Sequence, residues 1–91
     1  MPFFIVERNF AQQLEESGDA AEGIRLINAD EGVSWLVSFL SADKKKTYCL
    51  YEAPSSEAIR RAAQRANLPA DVITELSSSV LPDGTFGAIT A

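Results

Sequence analysis

Apolar and polar residues run together or alternate in six stretches, and the spacing in each fits one kind of element. Residues 2–7 hold the unbroken apolar run Phe3-Phe4-Ile5-Val6, the pattern of a central strand covered on both faces. Residues 33–40 alternate, with Val33, Trp35, Val37 and Phe39 on one face and Ser34, Leu36, Ser38 and Leu40 on the other, so both faces of this strand carry large apolar groups. Residues 47–52 return as the next strand, placing Thr47, Cys49 and Tyr51 on one side and Tyr48, Leu50 and Glu52 on the other. Between them, residues 41–46 have the length and charge of a hairpin loop. Its Lys44-Lys45-Lys46 run reads as a solvated tip that blunts edge pairing. Residues 72–80 predict a last strand. Residues 81–91 form a tail with a Pro82-Asp83-Gly84 turn, then Phe86 and Ile89, suited to a short extra strand or an arm on a neighbouring subunit.

Two stretches have helical spacing instead. Ala20, Ile24 and Ile27 predict a helix over residues 20–29, with Asp19 and Glu22 at capping-box spacing and Glu31-Gly32 as its end. Gly23 weakens this helix, and its core-facing stripe is thin. Residues 8–17 fit a short helical turn or an ordered loop equally, because Phe10 and Leu14 lie four apart but Ser17-Gly18 interrupts the pattern. The second helix spans residues 56–66. Pro54 stops the strand before it, Ser55 caps it at a worth of about 1 kcal/mol, and Asn67 followed by Leu68-Pro69 closes it. Ile59, Ala62, Ala63 and Ala66 form its inner face, while Glu57 at the start and Arg60, Arg61 and Arg65 toward the end match the helix dipole.

The order β, α, β, β, α, β is that of an α+β, ferredoxin-like domain: an antiparallel four-stranded sheet with two helices on one face. That domain occupies residues 1–80, and the tail occupies 81–91. Two helices shield only one side of such a sheet. Phe3 or Phe4, Trp35 with Val37 and Phe39, and one of the Tyr48/Leu50 or Cys49/Tyr51 sets must point to the other. Left in water they would make an apolar patch of roughly 600 Å² or more, larger than monomers usually expose. A second copy packed sheet to sheet about a two-fold axis, as in a dimeric α/β barrel, removes that cost. A homodimer is therefore expected.

Composition narrows the function classes. At 91 residues, 46% hydrophobic and 23% charged, the chain has the balance of one ordinary globular domain. A net charge of −5 argues against a nucleic-acid partner, since phosphate binding needs clustered cations. No apolar run approaches the ~20 residues that span a bilayer, and the start lacks a signal peptide's features, so a cytoplasmic protein without a membrane partner is expected. The lone Cys49 excludes an internal disulfide framework and a cysteine-rich zinc site, and in mid-strand it reads as a buried small hydrophobe. With no histidine in the chain, Ser77, Ser78 and Ser79 have no Ser-His triad to join. Gly84 and Gly87 do not make a phosphate loop.

Two constellations remain as candidate ligand-binding sites. Glu7, Glu52 and Glu75 fall at the ends of strands, or within a strand, that are near one another in this fold. If they converge, mutual repulsion raises a carboxyl pKa and suits acid–base chemistry or cation binding. The competing reading is solvated strand ends paired with Arg8 or Arg60. Trp35, Tyr48 and Tyr51 are placed to line an apolar pocket, either between sheet and helices or between subunits. No catalytic residue stands out.

The run YCLYEAPSSEAIRRAAQRANLPADVITEL at 48–76, with FFIVER at 3–8 and VSWLVSFL at 33–40, resembles the DUF4242 family of small bacterial proteins. The resemblance implies a ferredoxin-like fold that pairs into dimers, and some members are described as nickel-binding. It also implies histidines at the positions of Val37 and Ala62, which this chain lacks. Nickel favours imidazole and other nitrogen donors, so no metal site and no cofactor are expected here, with nickel the one metal the resemblance keeps in play. The expected function is a small cytoplasmic binding protein, dimeric, with a small-ligand cavity. Two alternatives stand beside it. One is a cofactor-free dimeric α/β-barrel enzyme, an isomerase or monooxygenase, moving protons with Glu7, Glu52 or a tyrosine. The other is a structural or regulatory interaction module that uses the Phe86-containing tail.

Overall fold

Strand pairing and helix ends explain most of the architecture. In the computed structural model, which describes residues 1–14 and 21–89, the elements follow in the order β1 (Phe3–Asn9), α1 (Ala21–Asp30), β2 (Ser34–Leu40), β3 (Lys46–Glu52), α2 (Ser56–Arg65), β4 (Val72–Leu76), β5 (Ser78–Val80) and β6 (Phe86–Ala88). The main sheet has the order β2-β3-β1-β4 with every neighbouring pair antiparallel. The α+β reading holds, and the arrangement is consistent with a ferredoxin-like fold.

Both helices end in the same way. After α1, Gly32 takes a positive φ of 74° and the Val33 amide donates back to the Asn28 carbonyl at 2.8 Å. After α2, Asn67 takes φ 56° and the Leu68 amide donates to Ala63 O at 2.9 Å. These bonds satisfy carbonyls left open at a helix end, and the residue that follows the left-handed position turns inward. Val33 is thereby buried, and Leu68 is half-buried. At the start of α2, Ser55 Oγ accepts from the Ala58 amide at 3.2 Å, as its sequence position predicts. Asp19, read as the cap of α1, lies outside the described residues. Its expected companion Glu22 instead pairs with Arg25 one turn on. Of the stretch read as helical turn or ordered loop, Phe10 and Leu14 donate backbone hydrogen bonds to Lys45 and Lys44 carbonyls, so residues 10–14 run as a loop along the β2–β3 hairpin.

The core lies between the sheet and the helices. Phe4, Val6, Cys49 and Tyr51 face inward from β1 and β3 and meet Ala58 and Ile59 of α2. Fully burying a side chain such as Phe4, Val6 or Ile59 contributes about 1.5–3 kcal/mol, while the alanines of α2 let it sit close to the strands. The helices are also pinned to each other. Arg61 Nε lies 3.0 Å from Glu31 Oε1, and Arg65 Nη1 lies 2.7 Å from Asp30 and 2.9 Å from Glu31. Arg61 and Arg65, read from sequence as dipole partners, thus reach across to the end of α1. Arg61 first, then Arg65, holds the Glu31 carboxyl below its ordinary range.

The structure corrects two expectations. The clean alternation predicted for residues 33–40 is broken by a bulge, where Trp35 pairs with Tyr51 but Val37 already pairs with Leu50. The extra residue, Leu36, swaps the faces that follow. Trp35 therefore lies on the helix side with Ser38, and only Val37 and Phe39 point the other way. The strand predicted over 72–80 is also interrupted. Leu76 pairs with Phe3, the first residue of β1, so beyond it the edge has no ladder to continue. The chain leaves the sheet at Ser77, and β5 pairs with β6 in a separate hairpin.

The face away from the helices carries Phe3, Ile5, Leu50 and Leu76, half-buried by their neighbours, and the exposed Val37, Phe39, Tyr48 and Val72. Phe39 is 63% exposed. The sequence expectation of an apolar face left uncovered within one chain is met, with Trp35 removed from it.

Candidate functional site

Alternation along β1 buries Phe4, Val6 and then Arg8, which is 4% exposed. An arginine at the third inward position of a central strand is costly to bury unless its charge is met. Thr47 sits opposite Arg8 on β3, and Tyr51, opposite Phe4, lies on the same face. The guanidinium and the phenol reach toward each other along the strands, and Arg8 Nη2 donates to Tyr51 Oη at 2.9 Å. Arg8 Nη1 donates to the Pro69 carbonyl in the α2–β4 connection. The guanidinium carbon also lies 5.7 Å from the Tyr51 ring centre, within cation–π range. Burial pushes the Tyr51 phenol up from its usual value, and the Arg8 charge works against that shift. Tyr51 therefore stays protonated through neutral pH.

These groups form one wall of a pocket of about 260 Å³ between the sheet and α1. Trp35 and Cys49 continue the sheet wall, Ile24 and Ala21 enter from α1, and Phe10, Leu14 and Leu68 close the sides. The bulge puts Trp35 here, and a bond from Trp35 Nε1 to Ser38 Oγ at 2.7 Å fixes its ring. On the far side of Trp35 is a more open hollow of about 370 Å³, bounded by Asn28, Ser34 and Gly32. The buried Asn28 Nδ2 makes no hydrogen bond. Cys49 is buried, as its mid-strand position predicts, with Sγ 3.5 Å from Thr47 Oγ1.

Of the residues singled out from sequence, Trp35 and Tyr51 meet at this pocket. Tyr48 does not: it lies on the open face, with Lys46 Nζ 5.0 Å from its ring centre. The expected convergence of Glu7, Glu52 and Glu75 is not formed. Glu7 pairs with Tyr48 while Glu52 pairs with Phe3, four positions away along the same strands, a separation of roughly 13 Å at strand rise. Glu75 pairs with Phe4 and so falls on the other face, at the exposed edge. Glu7 is 3.1 Å from Lys46 Nζ, not paired with Arg8, whose side chain points the opposite way.

Sequence reading missed Arg8, Thr47 and Ser38 as pocket residues. For Arg8 the signal was present: it continues the inward phase of Phe4 and Val6. Ser38 required the bulge, which no residue in β2 announces.

Among the described residues, no group of three or more His, Cys, Asp or Glu side chains is gathered so as to hold a metal ion, and the chain has no histidine. The donor set does not fit nickel, which favours nitrogen ligands. No helix among the described residues is long and apolar enough to cross a membrane.

Residues 4–76 match a family profile described as "Nickel responsive protein SCO4226-like", a span that takes in both helices and all of the main sheet but Phe3. No curated protein sequence matches. Among solved structures, the chain is similar to SCO4226 from Streptomyces coelicolor A3(2), with 26% sequence identity and a TM-score of 0.76, over 86% of this chain and 99% of that one.

Proposed function

Because the chain belongs to the SCO4226-like family of nickel-responsive proteins, we propose that it is a non-catalytic binding protein, working as a homodimer, whose ligand site is the pocket between the sheet and α1. We take the DUF4242 resemblance to be to this same small family. The observation that carries the reading is the division of labour in the sheet: one face lines a 260 Å³ pocket, and the other leaves large apolar side chains in water, with Glu7, Glu52 and Thr74 among them.

That second surface supports pairing by its composition. Eight apolar or aromatic side chains share this face, and an exposed patch of that kind favours a partner that covers it. Two-fold pairing of the sheets, in the manner of a dimeric α/β barrel, would cover the open face of both copies. The β5–β6 hairpin adds Val80, Leu81 and Phe86, the last 74% exposed, and supports the reading of the tail as an arm toward the partner. The enzyme alternative finds no support, because the carboxylates it needed are apart and the family is not described by a reaction. The cytoplasmic placement remains part of the proposal.

Nickel responsiveness is a property of the family's description. In this chain the metal has no evident nitrogen ligands, so the reading routes nothing through it. Native mass spectrometry of protein purified without chelators tests the proposal. The expected spectrum shows two chains of 9.9 kDa each with retained organic mass and no stoichiometric nickel. Single chains carrying nickel, with no organic adduct, would overturn it.

A further inference from the structure

Arg8 is the buried arginine among the described residues, and no carboxylate among them meets its charge. The exposed Arg25, Arg61 and Arg65 each pair with a carboxylate, where water would have served nearly as well. Arg8, 4% exposed, makes its two hydrogen bonds to neutral oxygens, the Pro69 carbonyl and the Tyr51 hydroxyl. A guanidinium offers five donors in a planar fork, so most of that fork has no acceptor among the described residues. Other polar groups of the same wall act as acceptors. Tyr51 Oη accepts from Arg8, Ser38 Oγ accepts from Trp35, and Thr47 Oγ1 faces the Cys49 thiol. No Asp or Glu among the described residues lines the pocket.

We propose that this pocket takes a small apolar monocarboxylate, with its carboxylate on Arg8 and Tyr51 and its hydrocarbon against Trp35, Leu14 and Leu68. The inference rests on the ligand-binding reading above and adds the chemical class. One buried cation calls for one negative charge, and the planar fork matches a carboxylate. The remaining walls are hydrocarbon and aromatic, which disfavours a compact, strongly hydrated dianion. A volume of about 260 Å³ holds about nine water-sized groups, the scale of octanoate or an arylacetate. The chain's net charge of −5 makes non-specific attraction of anions a poor substitute for this local site.

Trp35 is the single tryptophan and lines the pocket, so its emission reports occupancy directly. The test titrates the native protein separately with octanoate, 1-octanol, octylammonium and inorganic phosphate. Octanoate is expected to shift Trp35 emission saturably and to bind at least tenfold tighter than 1-octanol, with octylammonium and phosphate inactive. Arg8→Gln is expected to abolish the tenfold preference while 1-octanol still registers. Equal binding of octanoate and 1-octanol to the native protein would overturn the carboxylate assignment yet leave the pocket as a ligand site. Preferential binding of phosphate would overturn the apolar part. Silence of Trp35 toward all four probes would overturn the ligand-binding reading itself. The ranking on the native protein decides the matter even if Arg8→Gln does not fold.

Discussion

The two faces of the main sheet are built from alternate residues of the same strands, yet they do different things. On the inner face Phe4, Val6, Cys49 and Tyr51 are buried under α2, and around Trp35 the packing gives way to a pocket that holds a buried cation. On the outer face Phe39, Tyr48, Val37 and Val72 are all exposed, and the charged groups pair at the surface, as Lys46 does with Glu7. Hydrophobicity alone does not distinguish the two faces. What distinguishes them is the helical layer, since the two ten-residue helices among the described residues cover one side.

Substitutions of comparable chemistry on the two faces should therefore give unequal results. Ile59→Ala, on the covered side at 1% exposure, removes a side chain from the centre of the core. It is expected to lower unfolding free energy by about 2–5 kcal/mol, read from the midpoint of urea denaturation. Phe39→Ala, on the uncovered side, is expected to cost the single folded chain no more than about 0.5 kcal/mol, measured at high dilution. A loss at Phe39 equal to that at Ile59 would break the distinction between the faces.

The smallest expected effect concerns the arginine clamp that holds the helical layer together. Arg61 and Arg65 lower the Glu31 carboxyl below its usual 4.5. A carboxyl lowered in the folded state stabilises above its unfolded value, and that contribution fades as pH falls through the lower folded value. Between pH 6 and pH 3 the native protein should therefore lose slightly more thermal stability than Glu31→Gln. Identical slopes in a Tm-against-pH series would show that the clamp contributes nothing. Because the two arginines are substantially exposed, the difference is expected to be small and to shrink in salt.

Much of the fold was legible because its signals are local. Pro54, Ser55 and Asn67 mark the ends around α2 by backbone chemistry, and Gly32 does the same after α1. The uncovered face also followed from counting helices against strands. The parts that escaped depend on partners distant in sequence. Nothing in 33–40 reveals that Leu36 bulges, because the bulge is a mismatch between β2 and β3. Nothing in 72–80 reveals that the strand stops at Leu76, because the stop is set by where β1 begins. For the site, Trp35 and Tyr51 were anticipated as aromatics near a pocket. Glu7, Glu52 and Glu75 were grouped by strand adjacency alone, and register separates them. Arg8 was passed over as a counter-ion although its phase placed it in the core.

Sedimentation equilibrium of the native protein beside Phe39→Glu, across the micromolar range, tests the division between a covered and a paired face most directly. The native chain is expected at twice its 9.9 kDa mass and Phe39→Glu at that mass once, with unchanged circular dichroism. A native protein that sediments as a single chain throughout would contradict the account.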